Sequence, residues 1–126
     1  MIQFYAEIQK NQFNLIHKTM KKIETLVSQF DLETEKEIKL VREKFSGNGV
    51  KLKMFQEKLD DIENQKKGSI EGTKKILDFL KAKGMTDLRV KGKSYTHAQV
   101  VIDSFAIKLS ALRFVLESFV IDLVQM

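Results

Sequence analysis

The sequence predicts an all-α fold: a single-domain helical bundle of four to five helical segments with a long hydrophobic C-terminal helix. Three observations carry that expectation. The 126 residues include no Pro, no Trp and only six Gly, so little in the chain removes a backbone donor or breaks a helical turn. Apolar residues recur at alternating intervals of three and four over long stretches, the period of helices that turn one face to a core. Turn-forming clusters are few and short. A chain of this length makes one ordinary domain and buries about two thirds of its unfolded surface without disulfides or metals.

The first segment is expected over residues 2–30. Its seam runs through Phe13, Ile16, Met20, Ile23, Val27 and Phe30, with Tyr5 and Ile8 extending the face backwards. Residues 31–34 interrupt the apolar pattern, and Thr34 followed by Glu37 has the spacing of a capping box, which suggests a second start over 34–46. One long helix with a local phase shift is the alternative. Ile38, Val41 and Phe45 form the next seam before "SGNG", residues 46–49, where two Gly around an Asn mark a helix end and a turn.

Leu52, Phe55, Leu59 and Ile62 resume the three-and-four spacing in a segment expected over 50–83. The next apolar positions, Ile70, Leu77 and Leu80, sit out of phase with them. Gly68 and Gly72 each cost about 1 kcal/mol relative to Ala inside a helix, so a kink or short break is expected near 68–72. Basic residues and Gly84 end this segment. A connection over 84–95 follows, with "DLRV" extended and "KGKS" as its turn, and Thr96 with Gln99 three residues on caps a last helix over 96–125.

That last segment is apolar on two faces. Phe105, Leu109, Leu112, Leu116, Phe119 and Leu123 alternate by four and three as a core seam. Val100, Ile107, Phe114 and Ile121 recur every seven residues on nearly the opposite side, with small Ala111 and Ser118 between them. Two readings follow. Either this is the central helix of the bundle, covered on all sides, or Val100, Ile107, Ala111, Phe114, Ser118 and Ile121 form a partner interface.

The chemistry the sequence offers is narrow. "GKS" at 92–94 invites a phosphate-loop reading, but that loop needs four residues between its Gly and the Gly-Lys-Ser, and seven separate Gly84 from Gly92. The stretch before Gly84 is also helical in period where the loop requires a buried strand. His17 and His97 lie in different segments, each without a second ligand at helical spacing, so no metal is expected. Zero Cys excludes a thiol nucleophile and a disulfide framework. Glu57, Asp60, Asp61 and Glu63 interleave with Lys51, Lys53, Lys58, Lys66 and Lys67, the pattern of a solvated helix face.

The net charge of +5 is unevenly placed. Residues 1–49 hold 8 basic and 7 acidic side chains, residues 50–94 hold 12 and 7, and residues 95–126 hold 2 and 3. Lys81, Lys83, Arg89, Lys91 and Lys93 face only Asp87, which makes a local basic patch with Tyr95 as the nearby aromatic. Only three of the 22 basic residues are Arg, which argues against base-edge reading.

The expected function is therefore non-enzymatic. It is a helical interaction protein, an adaptor, chaperone, inhibitor or assembly subunit, oligomeric and working through contact with a protein partner or with itself. It is expected to need no cofactor. The alternative is a nucleic-acid-associated protein holding the phosphate backbone through the basic residues of 81–93. The most apolar stretch carries Lys108, Arg113, Glu117 and Asp122, each costly at membrane depth, and "MIQFYAEIQKNQ" lacks the pattern of a secretory signal, so a cytoplasmic protein without a membrane span is expected.

Overall fold

The computed structural model describes the backbone over residues 2–83, 87–90 and 93–126 and the side chains over 18–82 and 98–126. The described chain is helical, with three helices rather than four or five: α1 (Ile2–Lys44), α2 (Gly49–Lys83) and α3 (His97–Gln125). Between α2 and α3 the connection pairs with itself. Strands β1 (Asp87–Val90) and β2 (Lys93–Thr96) form a two-stranded antiparallel ribbon in which Val90 faces Lys93 and Asp87 faces Thr96. "DLRV" is extended as expected, but half of "KGKS" belongs to the strand, because two residues are enough to join paired strands.

The helices run up, down and up. Asp31 and Lys66 meet across α1 and α2, and farther along Ile38 and Gln56 line the same groove, so these two are antiparallel. Leu26 sits beside Ala106 and Glu33 bonds Arg113, which makes α1 and α3 parallel. Ile23, Phe30, Val41, Phe55, Ile62, Leu77, Leu109, Leu116 and Leu123 belong to one continuous buried core. The seam residues Phe13 and Ile16, with Tyr5 and Ile8, fall outside the described side chains.

α1 continues through the expected break at 31–34. Thr34 is 4% exposed, and its hydroxyl donates to the carbonyl of Phe30 at 2.8 Å. It is therefore an interior seam residue, and the capping-box reading is corrected. The buried positions Phe30, Thr34, Ile38, Val41 and Phe45 keep a spacing of four and three with no change of phase. A threonine can occupy such a position because its hydroxyl bonds within its own helix and its methyl group packs.

The phase slip in α2 dissolves for a related reason. Between Ile62 and Leu77 the inward positions are taken by Lys66, by half-buried Ser69 and Ile70, and by Thr73 at 9% exposure. The helix runs unbroken through Gly68 and Gly72. Both glycines are exposed, and a Cβ added to either meets nothing within 4 Å. Gly68→Ala and Gly72→Ala are each expected to raise stability by about 0.5–1 kcal/mol, since the unfolded chain loses freedom while the helix loses no contact. Thermal midpoints of the single and double variants check this, and a drop for either would place strain at that position.

The "SGNG" turn is built as its chemistry requires. Gly47 has φ +83°, the left-handed conformation that ends α1 without a Cβ penalty. Asn48 then caps α2, its Oδ1 accepting from the backbone N–H of Lys51 at 3.2 Å. Lys51 reaches over the Phe45 ring, 5.1 Å from its centroid, and its Nζ donates to the carbonyl of Met126 at 3.1 Å. One turn thus joins the end of α1, the start of α2 and the end of α3.

Candidate interaction surface

The two apolar faces of α3 have separate fates. Ala98, Ile102, Phe105, Leu109, Leu112, Leu116 and Leu123 are buried against α1 and α2. Phe119 is half-buried, with the Lys58 ammonium 5.8 Å from its ring centroid. The second face looks outward: Val100 is 54% exposed, Ile107 71%, Phe114 70% and Ile121 56%. Ala111 is exposed and Ser118 half-buried. The reading of α3 as a central helix covered on all sides is corrected, because two neighbours cover only one face of a helix.

The strip has defined edges. Seven residues separate its large side chains, a rise of about 10 Å each, so Val100 to Ile121 spans about 31 Å. Val115 and Val124, each over a third exposed, widen it in ways the seven-residue repeat does not reveal. Toward α1 it is bounded by Arg113, which pairs with Glu33 on α1 and, at 3.1 Å, with Glu117 one turn on. Asp103 accepts from the Gln99 amide at 2.8 Å. On the other edge stand Lys108 and Asp122, neither of which has a side-chain partner among the described residues.

The expected basic patch is only partly visible. Lys81 is exposed on α2; the side chains of Lys83, Arg89 and Lys93, and Lys91 as a whole, lie outside the described residues, as do the side chains of Tyr95, His17 and His97.

One polar cluster was missed by reading the acidic and basic residues of α2 as a solvated face. The Lys66 side chain is only 12% exposed. Its Nζ lies 2.7 Å from a carboxylate oxygen of Asp31 on α1 and 2.7 Å from Glu63, one turn back on α2. The ammonium is also 5.8 Å from the Phe30 ring centroid. Burial pushes its pKa down, but the hydrogen bonds and charges of Asp31 and Glu63 outweigh that and leave it above the ordinary 10.5. Lys66 is thus an ammonium at neutral pH, unable to accept a proton as a general base. It lines an open groove of 380 Å³ between α1 and α2 with Glu35 and Asp60.

Among the described residues no group of three or more His, Cys, Asp and Glu side chains is placed to hold a metal ion, and no helix is long and apolar enough to cross a membrane. Compared with protein-family models, curated proteins and solved structures, the chain matches none.

Proposed function

We propose that the chain is a non-enzymatic interaction protein that docks to another protein surface through the outward face of α3. One observation carries this reading: Ile107, Phe114 and Ile121 stand 56–71% exposed on a helix whose opposite face already completes the core. Folding does not require them to be apolar. A row of large apolar side chains in water favours association, and rows of this length on a protein surface mark contact sites.

The small residues between them support the same use. Ala111 and Ser118 let another helix approach closely while the large neighbours pack on either side. The end product is an adaptor, inhibitor, chaperone or assembly subunit, in which the shaped surface itself is the activity.

The test is solution mass and fold together. The wild type is expected to run above monomer mass, alone or with a protein partner, and Phe114→Asp to run as a monomer with an unchanged helical circular dichroism spectrum. A charge at the centre of an apolar contact weakens it by about two orders of magnitude. A monomeric wild type whose binding to every partner tried is unaffected by Phe114→Asp would overturn the reading.

A further inference from the structure

Resting on the reading of the α3 strip as an interface, we infer that its occupant is a second copy of this chain, docked with the two α3 helices antiparallel about a two-fold axis at the level of Leu116. The first support is the order of side-chain sizes. Large Ile107, Phe114 and Ile121 alternate with small Ala111 and Ser118 along the strip. About that axis, Phe114 of one copy meets Ser118 of the other and Ile121 meets Ala111, so each of the four inner layers holds one large and one small side chain, with Ile107 meeting Gln125 at either end. A parallel pair stacks Phe114 on Phe114 and Ala111 on Ala111, and layers of such unequal width cannot all close at one helix separation.

The second support is charge. Lys108 and Asp122 lie on the same edge of the strip, two heptads apart with Val115 midway. Neither has a side-chain partner within its own chain among the described residues. About the same axis Lys108 of each copy lies about 3 Å of rise from the level of Asp122 of the other, within side-chain reach, giving two symmetric pairs from two charges otherwise left single. On the opposite edge Glu117 approaches its symmetry mate, a repulsion offset by Arg113, which holds each Glu117 at 3.1 Å. The chain's surplus of +5 does not oppose the contact, because residues 95–126 hold only 2 basic and 3 acidic side chains.

The area available is that of a weak dimer. Helix overlap over 107–125 is about 28 Å long. The five large apolar side chains within it are 40–71% exposed and offer roughly 500 Å² per copy, or about 1,000 Å² for the pair, near the lower limit of specific interfaces. The dimer is therefore reversible, with a dissociation constant on the order of micromolar.

The absence of Cys from the chain makes the arrangement directly testable by disulfide trapping. Ile107→Cys and Gln125→Cys, each oxidised alone, are expected to give no linked dimer, and their equimolar mixture a linked pair of one of each, because antiparallel packing sets 107 against 125 and carries the two 107 positions about 27 Å apart. Lys108→Asp is expected to weaken dimerisation roughly tenfold by sedimentation, and Lys108→Asp with Asp122→Lys to restore it to within about threefold. Linking of either single variant with itself would mean parallel packing and overturn the proposal. A chain that is monomeric at every concentration, with no mixed link, also overturns it. In that case a different protein bound by the wild type and lost by Phe114→Asp would leave the interface reading standing, while absence of any such partner would remove both.

Discussion

Leu116→Ala is expected to lower folding stability by about 2–5 kcal/mol, whereas Phe114→Ala, two residues away on the same helix, leaves it within about 0.5 kcal/mol at concentrations where the chain is monomeric. Leu116 is 2% exposed in the core and Phe114 is 70% exposed on the strip. Truncating Leu116 removes apolar surface already taken from water and leaves a cavity between three helices. Truncating Phe114 removes surface that water already covers. Urea midpoints for the two variants, with equal slopes, measure the difference. Equal losses at the two positions would mean that α3 is covered on both faces, and the interaction reading would fail at its first step.

The second large effect concerns Lys66. Lys66→Ala is expected to cost about 1–2 kcal/mol, because it removes a stem packed beside Phe30 together with the charge that pairs Asp31 and Glu63. Lys66→Met keeps an apolar stem of similar length. Asp31 and Glu63 are 48% and 42% exposed, so water can replace their partner, and this variant should stay within about 1 kcal/mol of the wild type. The two variants thereby separate packing from charge.

The pH dependence has a definite sign. The folded pKa of Lys66 is raised above its ordinary 10.5, so its contribution is fully present below 10.5 and is lost as pH rises through the folded value. The stability difference between wild type and Lys66→Met should therefore hold steady through neutral and mildly alkaline pH and change only above about 10.5. Denaturant midpoints across that range test it. A change in the difference already between pH 8 and 9 would show that Lys66 titrates below its ordinary value and that burial outweighs its two carboxylates.

The same residue shows why part of the fold was illegible in sequence. Apolar spacing was the guide to each helix, and it breaks wherever a seam position is filled by something other than a hydrocarbon. Thr34 and Thr73 are inward residues with polar names, and Lys66 turns a hydrocarbon stem inward while its ammonium finds Asp31 on a helix far away in the chain. From spacing alone Thr34 reads as a helix start and Lys66 as part of a solvated face, while Thr73 carries no signal. The result was a false break in α1 and a false slip in α2, where the structure has unbroken helices of 43 and 35 residues. The ribbon is a milder case: four-residue strands carry too few side chains to show a period, and pairing of Leu88 with Tyr95 is a property of the register alone.

By itself the sequence determined the helical class, most of the apolar positions that reach the core among the described residues, and the turn at 46–49. Those depend on period, on backbone donors and on the left-handed conformation of Gly47, all of which are local. It also determined that α3 carries two apolar faces. The seam from Phe105 to Leu123 was legible as the core face, but whether the second face would also be covered was decided only in three dimensions. A helical period shows that a face is apolar and not how many neighbours surround it, and that number is set by how α1 and α2 pack around Leu109, Leu112 and Leu116. Two neighbouring helices cover one face of a third, and Phe114 is left on the other.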